Sequence, residues 1–134
     1  MASDLVGVLM FGWGLALEPA SSVEPAETDK ELYNRVCGVC HQVDGYGVPF
    51  MQPALVDSAR LTGDAEWTLE IIFKGSSAIP EGVSEYDNQM PRFSGLKDED
   101  IARIASYVRR AFGGQPDPVT LDAVRGYRQR QSGE

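Results

Sequence analysis

Both cysteines and the only histidine of the chain stand within one short run, Cys37-Gly38-Val39-Cys40-His41. On a helical turn this spacing presents two sulfurs to one edge of a flat ring and turns the imidazole beneath it. The C-x-x-C-H pattern is typical of covalent c-type haem attachment, in which both thiols become thioethers and the histidine binds the iron. We therefore predict one covalent haem on Cys37 and Cys40, with His41 as its proximal ligand.

Two other kinds of site use part of the same pattern. A Cys-x-x-Cys pair can be a thioredoxin-type redox disulfide, but that motif follows a strand in a βαβ unit, and no strand-like apolar run precedes Cys37. A structural zinc ion requires four ligands, and this chain offers three Cys and His side chains in all. Both alternatives are less favoured than haem.

The second axial ligand cannot be another histidine of this chain. Of the four methionines, Met1 and Met10 lie in the leader, and Met51 follows His41 so closely that the chain would have to double back at once. Met90 lies farther along and precedes Pro91, which favours an extended backbone at Met90. A loop methionine is otherwise a filler of irregular gaps. We predict Met90 as the distal iron ligand.

Helices must position these groups. Thr28 and Glu31 fit a capping box, so a first helix begins near Thr28 and runs into the haem motif. A second helix fits Asp64 to Lys74, with Asp64 as N-cap and Gly75 as terminator. Its apolar spacing predicts one buried side, formed by Trp67, Ile71 and Ile72.

The clearest helical period comes later in the chain. Apolar residues recur at Ile101, Ile104, Ala105, Val108 and Phe112, and Gly113-Gly114 end the pattern. A short fourth helix can start at Thr120, using Leu121, Val124 and Tyr127. The loops between these helices are rich in Gly and Pro.

Length and charge limit the function classes. The chain has 134 residues and a formal charge of -8, which excludes nucleic acid as the expected partner because phosphate binding needs a basic surface. The foldable segment, residues 29–114, is small for a self-sufficient core. A buried haem would share one core with the polypeptide.

The first residues are predicted to be a targeting segment. The run from Leu5 to Leu17 is uncharged and too short to span a bilayer, which favours a secretory signal over residues 1–22, although no Lys or Arg precedes it. Cleavage fits after Ala16 or Ser22. Residues 23–28 are then a leader, residues 29–114 the folded domain and residues 115–134 a C-terminal tail that can form a short helix.

Several motifs in this order resemble a class I c-type cytochrome: the haem motif, Pro53-x-Leu55, Met90-Pro91 and a late amphipathic helix. The resemblance implies an all-α fold of three to five helices wrapped around one covalently bound haem. It implies that the Pro53 carbonyl accepts a hydrogen bond from Nδ1 of His41. It also implies a crossing of the first and last domain helices at Tyr33, Tyr107, Ile104 and Val108, with Asp29 in place of a frequent glycine.

A narrower resemblance involves Gly45-Tyr46-Gly47, Leu61-Thr62-Gly63-Asp64 and the run from Tyr86 to Phe93. These segments are similar to small periplasmic cytochromes that accompany bacterial quinoprotein dehydrogenases. Members often carry glycine directly after the haem histidine, where this chain has Gln42.

The residues expected around the haem can also be named from the sequence. The expected pocket residues are apolar and lie in the loops and helices between the ligands: Phe50, Leu55, Leu61, Trp67, Ile71, Ile79, Phe93 and Leu96. Tyr86 and Asn88 precede Met90 and are expected beside them. The Trp67 indole and Arg60 are candidate donors to a haem propionate.

We expect an electron carrier and not an enzyme. With His41 and Met90 both on the iron, no coordination position is open, and the thioether favours the ferrous state. The expected partners are redox proteins in the periplasm, namely a dehydrogenase as donor and a terminal oxidase or similar acceptor. The protein is expected to be a monomer, or a subunit of a hetero-complex, without a transmembrane span after processing. The alternative is a haem-based ligand sensor or haem enzyme with a displaceable Met90.

Overall fold

Helices make up all the regular structure of the described chain. The computed structural model describes residues 25–133, so the predicted signal segment and the start of the leader lie outside the described residues. The helices are α1 Asp29–Val36, α2 Gly38–His41, α3 Ala59–Thr62, α4 Ala65–Lys74, α5 Asp98–Gly113 and α6 Leu121–Ser132, with a 3-10 turn at Gly75–Ala78 after α4. Within this part of the chain no helix has both the length and the apolar character that a bilayer crossing requires.

The first helix begins where its capping box predicted. The Thr28 hydroxyl accepts from the Glu31 amide, and the Glu31 carboxylate accepts from the Thr28 amide at 2.7 Å. Helix α1 then crosses α5, with the Tyr33 and Tyr107 rings 5.2 Å apart between centroids. Asp29 accepts a hydrogen bond from Arg103 at 2.8 Å, so the position with a frequent glycine holds an ion pair across this crossing. The predicted helix contact is confirmed.

Helix α4 has the predicted ends but a different buried side. Asp64 caps its first turn and Gly75 follows its last residue with a φ of 60°. The buried residues are Thr68, Leu69, Ile72 and Phe73, whereas Trp67 is 52% exposed. Successive helical residues differ by roughly 100° in direction, and Trp67 therefore points away from the side on which Thr68 is buried. The predicted burial of Trp67 is wrong.

Helix α5 forms the centre of the core. Ile101, Ile104, Ala105 and Val108 are buried as its period predicted, and α5 packs against four other helices, α1, α3, α4 and α6. Three acidic residues in its first turn match the positive end of the helix dipole. Gly114 ends it in the left-handed conformation.

The segment predicted as a C-terminal tail contributes to the same core. Thr120 caps α6 by accepting from the Ala123 amide, and Val119, Val124 and Tyr127 are buried. The Tyr127 ring lies 5.0 Å from the Phe73 ring of α4, centroid to centroid. Helix α6 is therefore part of the packed structure that faces α4 and α5.

Replacing Tyr127 with alanine should destabilise the fold. The change leaves a cavity between α6 and α4, and the expected loss in free energy of unfolding is about 3 kcal/mol. The matched control is Tyr46→Ala, because Tyr46 is an exposed loop tyrosine whose removal should cost less than about 0.5 kcal/mol. Chemical denaturation of the holoprotein measures both values. Equal losses in the two variants would mean that α6 is not docked on the core.

Candidate cofactor site

The cysteine motif occupies a tight turn between two helices. Helix α1 ends at Val36, and Cys37 is both its C-cap and the N-cap of α2. The Cys40 and His41 amides both donate to the Cys37 carbonyl, at 3.1 and 2.9 Å. This turn brings Cys37, Cys40 and His41 to the wall of one cavity.

His41 is held in an orientation that suits a metal ligand. The ring is buried, and its Nδ1 lies 3.0 Å from the Pro53 carbonyl oxygen. Because a carbonyl can only accept, Nδ1 carries the hydrogen and Nε2 keeps its lone pair free. Burial lowers the pKa of His41, while the hydrogen bond to Pro53 acts in the opposite direction. A buried neutral imidazole with a free Nε2 is the form that binds iron.

The loop that supplies the Pro53 carbonyl depends on Gly47. The Gly47 amide donates to the His41 carbonyl at 3.0 Å, and its φ is +65°. A Cβ at this position would collide with the carbonyl oxygens of Gln52 and Pro53. Glycine therefore allows the loop to fold back closely enough for Pro53 to reach the imidazole.

The surroundings of the two cysteines argue against the two competing sites. Cys37 and Cys40 are both free, and burial, with a smaller effect of Cys40, raises the pKa of Cys37 to about 12. Two thiols and one imidazole leave a zinc ion one ligand short of four, and among the described residues no strand precedes the motif as a thioredoxin-type pair would require. Between residues 25 and 133, no group of three or more His, Cys, Asp or Glu side chains is arranged to hold a metal ion.

Met90 lies in a loop that is fastened to the end of α4. The Met90 amide donates to the Ser76 hydroxyl at 2.7 Å, and the Ser76 amide donates to the Met90 carbonyl at 3.0 Å. Two residues past Pro91, the Phe93 amide donates to the Ile72 carbonyl at 2.9 Å. A Cβ on Gly75 would collide with the Met90 and Pro91 carbonyl oxygens. Both ends of this loop segment are therefore fixed by backbone contacts.

One large cavity brings the predicted site residues together. Its volume is about 570 Å³, within the roughly 300–1,000 Å³ usual for cofactor sites. The predicted residues along its wall are Cys37, Cys40, His41, Pro53, Leu55, Arg60, Leu61, Ile71, Ile79, Tyr86, Asn88, Met90 and Phe93. Most of the wall is apolar, and two thiols, an imidazole and a thioether line it. This donor set fits a covalently attached haem with two axial ligands.

Three predicted pocket residues do not line this cavity. Trp67 lies with its ring against Gly63, outside the cavity wall, so it is also misplaced as a propionate donor. Phe50 is exposed at the tip of a loop and borders a separate surface groove. Leu96 is partly buried and packs against the hydrophobic core instead. In each case the sequence showed an apolar residue near the ligands but not the direction of its side chain.

Arg60 lines the cavity but already has two partners. Its guanidinium donates to the Ala78 carbonyl at 3.1 Å and lies 3.4 Å from the Glu70 carboxylate. Its role towards a haem propionate stays a prediction.

Sequence reasoning missed two residues that hold the Met90 loop. Ser76 was not predicted to have a role. It directly follows Gly75, which ends α4, and its hydroxyl and amide bind the backbone of Met90. Arg128 of α6 donates to the Ser94 and Leu96 carbonyls at 2.6 and 3.1 Å and to Asp98 at 2.7 Å. It thereby ties the chain just after Phe93 to the C-terminal helix.

Gln42 stands where similar cytochromes often have glycine, and the backbone there is strained. Gln42 follows His41 with φ 63° and ψ 159°, a conformation that L-residues rarely adopt. Its carbonyl accepts a hydrogen bond of 2.6 Å from the Tyr33 hydroxyl, which fixes the backbone there. The geometry explains why glycine suits this position.

Known proteins resemble this chain over most of its length. A family model described as cytochrome c matches residues 26–111, more than half of the chain. Cytochrome c-552 of Thermus thermophilus is 27% identical, over 98% of this chain and 89% of that protein. The fructose dehydrogenase cytochrome subunit of Gluconobacter japonicus is 34% identical, over 72% of this chain and 21% of the subunit.

A further relative also matches most of this chain but only a small part of its own length. The cytochrome c subunit of the quinone alcohol dehydrogenase of Gluconobacter oxydans is 28% identical, over 69% of this chain and 20% of the subunit. The chain thus spans most of the Thermus protein but about one fifth of either dehydrogenase subunit.

Removing the Ser76 hydroxyl should loosen the Met90 loop. In Ser76→Ala the partly buried Met90 amide loses its acceptor, and we expect a loss of about 1–2 kcal/mol in stability. Exchange of the Met90 amide hydrogen, followed by NMR, should accelerate. The control is Ser77→Ala, because the Ser77 hydroxyl binds only the Lys74 carbonyl at the surface. Unchanged exchange at Met90 in Ser76→Ala would contradict the assigned role.

Replacing Gln42 with glycine should stabilise the protein. Glycine adopts the observed backbone conformation without strain, and the expected gain in free energy of unfolding is about 1 kcal/mol after the entropic cost of glycine. Thermal unfolding of the holoprotein checks the sign. A lower melting temperature for Gln42→Gly would show that the side chain matters more than the strain.

Proposed function

Because the chain belongs to the cytochrome c family, we propose that it carries one electron at a time, on a single covalent haem, from a dehydrogenase to a downstream acceptor. Membership of this family makes the protein a haem-binding electron carrier and not an enzyme in its own right. The observation that supports the proposal is that Cys37, Cys40, His41 and Met90 all line one apolar cavity.

Each of these residues has a defined part in the proposal. The Cys37 and Cys40 sulfurs would anchor the haem as thioethers, and Nε2 of His41 and the Met90 sulfur would bind its iron. When bound, the iron supplies a reversible one-electron change of valence. The Pro53 carbonyl keeps His41 in one tautomer, and the mostly apolar wall would shield the haem from water. The soft thioether of Met90 would raise the reduction potential of that iron.

The attachment of the Met90 loop favours a carrier over a ligand sensor. A sensor needs Met90 to leave the iron easily, whereas this segment is held by two hydrogen bonds to Ser76 and one to Ile72. A ligand that stays in place through both oxidation states keeps the rearrangement on electron transfer small. The sensor or enzyme alternative remains the competing outcome of the experiment below.

The donor class follows from the relatives. Two of them are named as cytochrome subunits of fructose and quinone alcohol dehydrogenases, and we propose a dehydrogenase of this quinone-dependent kind as donor. A terminal oxidase or similar protein would then accept the electron. The match along most of cytochrome c-552 supports a small separate carrier, whereas the likeness to part of a subunit supports a fixed place in a complex.

We place the protein in the periplasm. The support is the uncharged apolar run from Leu5 to Leu17, which suits a secretory signal. Haem attachment to both cysteines would follow export, and the mature protein would act as a monomer or as a subunit of a hetero-complex.

Met90→Ala should open the iron to external ligands. The ferrous variant should bind carbon monoxide on mixing, and its reduction potential should fall because the thioether is lost. The ferrous unmodified protein should stay essentially unreactive at neutral pH. Visible absorption after mixing with carbon monoxide, together with a redox titration, measures both effects.

Met51→Ala is the matched control, because Met51 is an exposed loop methionine outside the cavity wall. It should behave like the unmodified protein in both measurements. Prompt carbon monoxide binding by the unmodified protein would reject the carrier in favour of the sensor or enzyme. Pigment that acid-acetone extracts from the protein would reject covalent attachment.

A further inference from the structure

Arg109 of α5 is a buried charge that the packing of the helices does not require. Only 6% of the residue is exposed. Its Nη1 donates to the Gly63 carbonyl at 2.9 Å and to the Thr68 hydroxyl at 3.4 Å, while its Nε is buried without a hydrogen-bond partner. Arginine is rarely buried to this extent unless an acidic group pairs with it.

The polypeptide supplies no acidic partner for this charge among residues 25–133. The arginines that form ion pairs in this part of the chain are Arg35, Arg60, Arg103, Arg125, Arg128 and Arg130. Arg109 is not one of them, and both of its acceptors are neutral. Because arginine stays protonated in proteins, a full positive charge is left uncompensated inside the fold.

The guanidinium lies directly behind the wall of the cofactor cavity. Thr68, which accepts a hydrogen bond from it, is fully buried and lines the cavity, and so does Val108, the residue before Arg109. The Thr68 hydroxyl in turn donates to the carbonyl of Arg60, which is also a wall residue. Arg109 itself is not part of the wall. It can therefore act on a group in the cavity through its electric field and not through direct contact.

We propose that Arg109 is an internal counter-charge that raises the reduction potential of the haem iron. This inference rests on the proposed electron-carrier function and adds a residue that sets the driving force of the transfer. On reduction by the donor the site gains one electron, and no bond forms or breaks. A nearby positive charge stabilises the reduced state, which is more negative by one charge.

Burial gives this charge more effect than a charge on the surface. The chain has a formal charge of -8, and that excess of negative charge favours the oxidised iron. Salt screens exposed charges over a distance of about 8 Å, but it screens buried charges much less. Arg110, the next residue, is exposed and should have little effect. Arg109 is therefore placed to offset the acidic surface from within.

A purely structural role is the competing explanation. Gly63 ends the short helix α3, and a donor to its carbonyl satisfies one of the groups that a helix leaves free at its C-terminus. That role requires a hydrogen bond and no charge, and it would stabilise the oxidised and reduced proteins equally. The two explanations are separated by comparing the two oxidation states.

The first test removes the charge. Arg109→Met leaves a long apolar side chain in its place, and a redox titration of the holoprotein measures the potential. The equilibrium constant for reduction should fall about tenfold, which is about 59 mV for one electron. Tenfold is the effect of unit charges roughly 12 Å apart at an effective dielectric constant of about 20. The fall should persist at high salt.

Arg110→Met is the matched control, because it removes the same charge one residue along the helix from an exposed position. Its equilibrium constant for reduction should change by less than about twofold, and this change should vanish at high salt. Equal falls in the two variants would mean that only net charge matters and would overturn the proposal. An unchanged potential in Arg109→Met would do the same.

Denaturation of the ferrous and ferric holoproteins gives a second measurement. In Arg109→Met the unfolding equilibrium constant should increase about tenfold more for the ferrous protein than for the ferric protein, because the charge favours the reduced state selectively. An equal increase in both states would assign Arg109 to the structure alone and reject the counter-charge.

Arg109→Lys provides a test if removal of the charge prevents folding. A buried lysine, unlike arginine, loses its proton as the pH rises. Relative to the unmodified protein and to Arg110→Lys, the potential should be equal at the acidic end of a pH series and about 59 mV lower at the alkaline end. A potential that follows both references at every pH would contradict the proposal.

Failure of this inference differs from failure of the proposed function. A protein whose iron takes up no electron reversibly, in any variant, would reject the carrier itself. A reversible one-electron couple whose potential does not depend on Arg109 would keep the carrier and reject the counter-charge.

Discussion

Close contact between backbone segments is the constraint on which the positions of both His41 and Met90 depend. Gly47 packs against the Pro53 carbonyl that orients His41, and Gly75 packs against the Met90 and Pro91 carbonyls. Both glycines have positive φ, and a Cβ on Gly47 or Gly75 would push the loop that carries Pro53 or the loop that carries Met90 out of place. Long irregular loops can therefore present a histidine and a methionine at fixed places without any sheet to hold them.

Capping residues and apolar spacing predicted the helices correctly. They did not predict the direction in which individual apolar side chains point. Thr28, Asp64 and Thr120 cap the helices that they were expected to cap, because capping involves neighbours only three residues away. The haem motif was predicted from its residue types and Met90 by elimination, and the structure brings both to the wall of one cavity. Trp67 and Phe50 were misplaced because the helix or loop that must cover an apolar residue is distant in sequence.

The same distance explains the contacts that sequence reasoning missed. Ser76 and Arg128 form hydrogen bonds with backbone atoms of a loop. Such bonds cannot be predicted from the pattern of side chains along the sequence. Arg128 also lies over the Phe73 ring, 4.9 Å from its centroid, so α6, α4 and the chain after Phe93 are joined at one residue. Arg128 thus serves the fold that surrounds the site, whereas Arg125 and Arg130 form exposed ion pairs with Glu99 and Glu66.

Two non-glycine residues with positive φ show how strain can be assigned a cause. At Gln42 the carbonyl accepts a partly buried hydrogen bond from the Tyr33 hydroxyl, which offsets part of the cost of the strained backbone. At Phe50 the positive φ belongs to the third position of the turn over residues 48–51, with Pro49 second, which is closed by a 3.0 Å hydrogen bond from the Met51 amide to the Val48 carbonyl. In both cases a local hydrogen bond holds the backbone in a conformation that the side chain by itself disfavours, so the cause of the strain lies within a few residues or in one packed helix.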